Sequence, residues 1–204
     1  MDKPLAITGF AVGAFAVILQ FALTIPARMN AGRDLAEALV FFFSFFTILT
    51  NIGAVLVYAA SLLRGRLSFF ATPLARAAIA VCITIVGLVY ATVLAKIWAP
   101  EGLFWLCDVL LHYAAPVIYA LWWLTAGRSG TLQWSDAPRM LVFPVLYLVY
   151  AMMRGQLTGL YPYPFIDAAA LGLGPALVNA AVVALVFLVF SFGAVALDRR
   201  LKSP

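Results

Sequence analysis

Six long apolar stretches, separated by short polar segments, run through the whole chain. A helix needs about 20 mainly apolar residues to cross a membrane, because each residue rises about 1.5 Å through roughly 30 Å of hydrocarbon. The qualifying stretches cover residues 5–27, 35–63, 74–98, 103–126, 140–153 with some flanking sequence, and 173–197. The fifth is short and carries Pro144, so we expect it to be kinked or to begin nearer Ala137. The pattern predicts an all-α bundle of six transmembrane helices, forming a single domain over residues 1–204.

The composition supports a membrane protein and excludes several soluble classes. Hydrophobic residues make up 66% of the chain and charged residues 10%, with a mean hydropathy of +1.07, whereas soluble domains average about 25% charged residues. So few charges cannot cover the surface of a soluble enzyme, a disordered chain or a nucleic-acid-binding module. The net charge is +5, but the bases occur in ones and twos between apolar runs. We interpret them as topology signals.

The bases are unevenly divided between alternate loops. Nine lie on the side of the two termini and four on the other side. Because positive residues accumulate in cytoplasmic loops, this predicts a cell (inner) membrane protein with both termini in the cytoplasm. The first set is Lys3, Arg64, Arg66, Arg76, Arg128, Arg139, Arg199, Arg200 and Lys202, and the second is Arg28, Arg33, Lys96 and Arg154.

All five tryptophans lie near predicted span ends. An indole ring with its polar N–H prefers the boundary between lipid and water. We therefore interpret the tryptophans as interfacial anchors: Trp98, Trp105, Trp122, Trp123 and Trp134.

The second predicted span carries hydroxyl and amide side chains. Ser44, Thr47 and Asn51 recur at spacings of three and four, which places them on one face of a continuous helix. Thr50 lies beside that face. Such residues commonly hydrogen-bond neighbouring helices and hold a membrane bundle together. Alternatively, they belong to a functional site.

The fourth predicted span contains the single histidine of the protein, His112, one turn after Asp108. Pro116, Tyr119 and Trp123 continue an approximate stripe along the same helix. A lone buried imidazole is often a satisfied hydrogen-bonding group, but ionisable residues inside a membrane mark function by default. Tyr119 is a candidate substrate contact on this stripe.

Thr47 and His112 are predicted to lie at similar depth. Thr47 follows the start of its span by twelve residues and His112 by nine, so their depths differ by under about 5 Å if both helices enter from the same side. Burial favours the neutral imidazole, which is the form able to accept a hydroxyl proton. The pair has the chemistry of a nucleophile and its base. Asp108 is a candidate for orienting the ring.

The segment before the sixth span contains Tyr161-Pro162-Tyr163-Pro164. Each residue before a proline is restricted to extended backbone, and tyrosine combines an apolar ring with a hydroxyl donor. We expect a fixed aromatic lid on the non-cytoplasmic face, with Tyr161 and Tyr163 as candidate substrate contacts. Arg154 and Asp167 flank this segment, and either pair across it or leave Arg154 to meet an anionic head group.

Four segments together resemble the bacterial Pr6Pr membrane proteins. They are FFTILTN at residues 45–51, His112 followed by Pro116, the Arg154-Gly155 step, and YPY at residues 161–163. More distantly, the architecture is similar to the androgen-induced and androgen-dependent TFPI-regulating proteins. Those are six-helix hydrolases that cleave fatty acid esters of hydroxy fatty acids with an intramembrane threonine and histidine. The resemblance implies that Thr47 and His112 are the matching residues, with Thr50 as an alternative to Thr47.

The first functional hypothesis is an intramembrane lipid ester hydrolase. Thr47 would attack the ester, His112 would take its proton, and Thr50, Asn51 or Ser44 would donate hydrogen bonds to the developing oxyanion. The expected partners are membrane lipids and an acyl-ester substrate, with no nucleic acid. No metal or organic cofactor is expected, because the sequence has no second histidine, no clustered cysteines and no glycine-rich phosphate loop.

The alternative hypothesis is a non-enzymatic membrane protein. It would bind or carry a small lipid, and its polar side chains would serve only to hold the helices together.

Overall fold

The computed structural model describes residues 3–63 and 67–200, and these ranges contain helices and no strands. Arg64, Arg66 and Lys202, three of the bases used to predict the orientation, lie outside the described residues. The contacts divide the chain into two compact units, Met1–Ser129 and Gly130–Pro204. The division by contacts does not test whether residues 1–204 form a single domain, which stays a prediction.

Most of the predicted spans are present as long apolar helices. Within the described ranges, five helices are long and apolar enough to cross a membrane, and a bent pair of helices makes a sixth if it counts as one span. The five are Lys3–Asn30, Pro73–Lys96, Gly102–Gly127, Asp136–Thr158 and Leu173–Arg199. The prediction of an all-α polytopic membrane protein is confirmed.

The first unit contains the first four spans. Its helices are α1 (Lys3–Asn30), α2 (Leu35–Phe43), α3 (Phe46–Leu62), α4 (Pro73–Thr92), α5 (Gly102–Val109) and α6 (Ala115–Trp122). A 3₁₀ turn at Leu94–Lys96 follows α4, and π-helical turns at Leu110–Ala114 and Trp123–Gly127 follow α5 and α6.

The second span is broken, which corrects the prediction of one continuous helix. Its halves α2 and α3 meet at 74°. The Ser44 hydroxyl donates to the Val40 carbonyl at 2.5 Å, and the Ser44 N–H bonds to Phe41 instead. A serine that competes in this way for a backbone carbonyl favours bending of a helix. Phe45 then adopts extended backbone before α3 begins, so Ser44 does not share a helix face with Thr47.

Glycines allow the helices of the first unit to approach closely. A Cβ added to Gly9 of α1 would lie 2.2 Å from the Tyr58 ring of α3. A Cβ on Gly87 of α4 would lie 3.2 Å from the His112 carbonyl and from Pro116. Small residues at such positions are a common means of packing helices in membranes, where hydrophobic burial provides little drive for association.

The second unit contains the last two spans. Its helices are α7 (Asp136–Arg139), α8 (Val142–Thr158), α9 (Ala168–Leu171) and α10 (Leu173–Arg199), with a 3₁₀ turn at Pro164–Ile166. The fifth span begins at Asp136, close to the predicted Ala137. Pro144 lies in the first turn of α8, where a helix has no partner for the N–H that proline lacks.

A buried carboxylate joins the two ends of this second unit. Asp198 is 1% exposed, and its Oδ2 accepts from the Leu132 N–H at 3.1 Å. Arg199 donates to the Leu132 carbonyl at 3.3 Å and places its guanidinium 5.5 Å from the Trp134 ring. These contacts attach the segment before α7 to the end of α10.

The tryptophans are not all interfacial anchors. Trp98, Trp105 and Trp134 are exposed, as an interfacial position requires, but Trp122 and Trp123 are buried. The expectation fails for these two because proximity to a span end does not determine which face of the helix a residue occupies.

Candidate functional site

His112 and Asp108 form a side-chain pair one turn apart in the fourth span. The ring Nδ1 lies 3.1 Å from the Asp108 Oδ1 and 3.1 Å from the Asp108 backbone carbonyl. Both partners of Nδ1 are acceptors, so Nδ1 carries a proton and donates it. In a neutral ring Nε2 is then unprotonated and can accept a proton. The sequence alone did not determine this tautomer.

Tyr90 of α4 completes the pair and was missed by the sequence analysis. Its hydroxyl donates to the second oxygen of Asp108, and its ring stacks on the His112 ring with centroids 3.9 Å apart. The arrangement restrains both the carboxylate and the imidazole. A usable signal was present, because Tyr90 and Asp108 flank one short loop between antiparallel spans and so lie at comparable depth.

The backbone around His112 is π-helical, and its sequence explains why. The Ala115 N–H bonds to the Leu110 carbonyl, five residues back. The next residue in that pattern would serve Leu111, but it is Pro116, which has no N–H. The Asn51 amide of α3 supplies the missing donor to the Leu111 carbonyl at 3.3 Å. Single π turns of this kind often mark functional sites.

Asn51 also connects the predicted nucleophile with the fourth span. Its amide nitrogen donates to the Thr47 carbonyl at 2.8 Å as well as to Leu111. The second and fourth spans are therefore neighbours, because this nitrogen bonds to the backbone carbonyl of Thr47 and to that of Leu111, the residue before His112. No hydrogen bond joins Thr47 to the His112 ring in the parts of the chain that the structure describes. The depth estimate from a straight second helix no longer applies.

The three candidate oxyanion donors differ in how their hydrogens are used. Both N–H groups of the Asn51 amide have acceptors, and Ser44 donates to Val40. Thr50 is 0% exposed and its hydroxyl oxygen has no hydrogen-bond partner. Of this set, Thr50 is the side chain with an uncommitted donor.

Tyr119 lies in a different part of the first unit from His112. It is fully buried, and its hydroxyl donates to the Arg76 carbonyl at 3.1 Å. Its ring packs against Tyr58 and Trp122 at centroid distances of 5.2 and 5.4 Å. Seven residues separate it from His112, about 10 Å along a helix, so its predicted contact with the same substrate atoms has no support in this geometry.

The predicted lid is an ordered segment built on α8. The Tyr161 ring occupies the place where a side chain on Gly155 would be, 2.1 Å from an added Cβ. Tyr163 stacks on Phe165 with centroids 5.3 Å apart, and Asn179 donates to the Phe165 carbonyl at 2.9 Å. The segment is aromatic and fixed within the second unit, whereas its role towards a substrate stays a prediction.

Arg154 and Asp167 do not pair across this segment. Arg154 donates to the Leu160 carbonyl at 2.5 Å, and Asp167 accepts from the N–H groups of Ala169 and Ala170 as the N-cap of α9. Each charged group thus finds local backbone partners, which the sequence pattern did not reveal because both residues flank a turn rich in free backbone groups.

No family model, curated protein or solved structure matches this chain. In residues 3–63 and 67–200, no group of three or more His, Cys, Asp and Glu side chains comes together as a metal site would require. The functional conclusion therefore depends on the geometry around His112.

Proposed function

We propose that the protein is an intramembrane lipid ester hydrolase in which Thr47 is the nucleophile and His112 the base. The substrate class is a long-chain acyl ester, of the type in which a fatty acid is esterified to a hydroxy fatty acid. Its acyl chains would lie between the spans. The proposal includes the bacterial inner membrane as its location, with both termini cytoplasmic, as the distribution of bases predicts.

The observation that carries this proposal is the alignment of Tyr90, Asp108 and His112. A carboxylate on Nδ1 holds the imidazole in the tautomer whose Nε2 accepts a proton, which is the role of the third residue in hydrolase triads. The Tyr90 ring, stacked on the imidazole, restrains the orientation of the base further. The bridge from Asn51 links the backbone of Thr47 to that of Leu111, the residue before His112, and this link supports Thr47 as the nucleophile.

The reaction proceeds in two displacements. The Thr47 hydroxyl oxygen bonds to the ester carbonyl carbon while its proton passes to the His112 Nε2, and this proton then leaves with the alcohol. Water next attacks the acyl-threonine with the same base, which releases the fatty acid and restores the hydroxyl. The Thr50 hydroxyl, which has no hydrogen-bond partner, would stabilise the oxyanion, and one preorganised donor contributes roughly 3–4 kcal/mol. Catalytic contacts often tighten only when substrate binds.

A lipid-binding protein without activity is the competing function. It is favoured by the missing hydrogen bond between Thr47 and His112 among the described residues. In that case the polar atoms around Asn51 would hold the spans together and contact the lipid without any chemistry.

Labelling purified protein with a long-chain fluorophosphonate separates the two functions. We expect wild-type protein to form a covalent adduct on Thr47, and Thr47→Ala and His112→Ala to lose it. Thr47→Ser should retain labelling, because it keeps the hydroxyl. Thr92→Ala is the matched control, since Thr92 is exposed and bonds within its own helix.

Peptide mapping of the adduct gives the decisive outcome. An adduct on Thr50 would move the nucleophile to that residue and keep the enzyme. Wild-type protein that binds the probe without an adduct, or equal labelling of all variants, would reject the assignment in favour of lipid binding.

A further inference from the structure

A second group of polar side chains lies near the other ends of the same spans. It consists of Arg76 of α4, Tyr58 of α3, and Tyr119 and Trp122 of α6, and is called here the tyrosine cluster. The Tyr58 ring lies 5.1 Å from the Trp122 ring, and Tyr119 packs on both. The hydroxyl of Tyr119 joins the cluster to Arg76 through the Arg76 carbonyl.

Three hydrogen-bond donors in this cluster have no partner. Tyr58 is 2% exposed and Trp122 is 1% exposed, yet the Tyr58 hydroxyl and the Trp122 indole nitrogen make no hydrogen bond. The Nε of Arg76 is also buried and unpartnered. A buried donor without an acceptor costs roughly 1–3 kcal/mol. Indole and guanidinium N–H groups are donors only, so what they need is an acceptor.

The charge of Arg76 is also uncompensated. None of the ion pairs found in the described part of the chain includes Arg76. Arg76 further lies in the first turn of α4, where the helix dipole is positive and a cation is unfavourable. An anion at this position would relieve both the charge and the unpaired donors.

We infer that the tyrosine cluster is a binding site for an oxyanion, whether a carboxylate or a phosphate group, held by Arg76, Tyr58 and Trp122. Arginine matches the planar geometry of such groups, and its N–H bonds to them are strengthened by charge. The first turn of α4, which carries Arg76, is also the start of the third span, and lipid head groups are expected at the end of a membrane-spanning helix. A fatty acid or an anionic phospholipid could therefore supply the oxyanion, as could free phosphate. The inference is independent of the proposed hydrolase.

Binding measured on the full-length protein tests this site. Native mass spectrometry in an uncharged detergent would be used with three probes, oleate, dioleoyl phosphatidic acid and inorganic phosphate. The His112→Ala background removes turnover, so a failed hydrolase proposal does not affect the result. We expect one oxyanion per chain, and Arg76→Gln should weaken it by about tenfold or more, as for a charged hydrogen bond.

Tyr58→Phe and Trp122→Phe should weaken binding by about three- to tenfold each. Tyr58→Phe is nearly isosteric, so it remains informative if Arg76→Gln does not fold. Arg139→Gln and Tyr113→Phe, at exposed positions, should not change affinity. Binding of oleate alone would identify a carboxylate, of phosphatidic acid a phospholipid, and of phosphate a soluble anion, each supporting the site. Absence of binding with all three probes, or equal affinity in Arg76→Gln and Tyr58→Phe, would overturn it.

Discussion

The first unit holds two groups of buried polar side chains, the Tyr90–Asp108–His112 network and the tyrosine cluster, that differ in how completely their hydrogen bonds are made. Around His112, the Tyr90 hydroxyl and the imidazole Nδ1 each donate to one oxygen of the Asp108 carboxylate. In the tyrosine cluster, the Tyr58 hydroxyl has no acceptor although it is equally buried. The same low-dielectric surroundings make a completed network rigid and an incomplete one costly.

This difference in hydrogen bonding distinguishes a network that orients a catalytic group before the substrate binds from a site that recognises a ligand. A base must have its tautomer and orientation determined before the substrate arrives, and the Tyr90–Asp108–His112 network accomplishes this. A recognition site instead has donors whose acceptor arrives with the ligand, as in the tyrosine cluster. The two regions therefore predict opposite responses to the removal of a single polar group.

The largest expected effect is that of Asp108→Asn on the labelling rate. Tyr90 donates to one side of this group, so the new amide oxygen would face Tyr90 and its N–H would face the imidazole Nδ1. That arrangement moves the ring proton to Nε2 and removes the base. Loss of the correct tautomer in a triad costs about 10⁴-fold in rate, which fluorophosphonate labelling kinetics would measure.

Asp136→Asn is the matched control, because Asp136 pairs with Arg139 in the second unit. It should label within about twofold of wild type, as expected for a surface ion pair of small energetic value. Unchanged labelling of Asp108→Asn would show that the carboxylate has no part in setting the base. The completed hydrogen bonds around His112 would then have a structural role and not a catalytic one.

A smaller effect, on both stability and function, is expected from Gly87→Ala and Gly9→Ala. Each new methyl group would press on one region, the His112 carbonyl in the first case and the Tyr58 ring in the second. Overpacking typically costs about 1–3 kcal/mol, measurable as a lower thermal unfolding midpoint. Gly87→Ala should slow labelling and retain oxyanion binding. Gly9→Ala should retain labelling and weaken oxyanion binding.

Gly193→Ala provides the control, since an added Cβ meets nothing there. Within helix α10 it should be neutral or stabilising by up to about 1 kcal/mol. If Gly87→Ala and Gly9→Ala each impaired labelling and oxyanion binding together, the two regions would not be separate sites.

The membrane fold was predictable because it depends on run length, which the sequence displays directly. The break at Ser44 was not, because a serine in an apolar run fits equally well inside a helix or at a bend. Depth arguments that assume straight helices fail at such a break. His112 was identified by its rarity in apolar sequence.

The partners of His112 were harder to predict, because they depend on which helices are neighbours. The loop between the third and fourth spans indicates that Tyr90 and Asp108 lie at comparable depth, but the stacking of Tyr90 on His112 is visible only in the coordinates. Pro116 carried a usable signal, since its missing N–H leaves a carbonyl that some polar side chain must serve. The sequence did not show that Asn51 would be that side chain.

The smallest and most direct comparison removes one hydroxyl from each region. Tyr90→Phe breaks a bond to Asp108, and interhelical hydrogen bonds in membranes contribute about 0.6–1.7 kcal/mol. Tyr58→Phe removes a hydroxyl without a partner, so its unfolding free energy should be unchanged or higher in detergent free of anions. Thermal unfolding would measure both, with exposed Tyr113→Phe as the reference. Adding the bound oxyanion should stabilise wild type more than Tyr58→Phe, and equal losses in both variants would show that the regions do not differ.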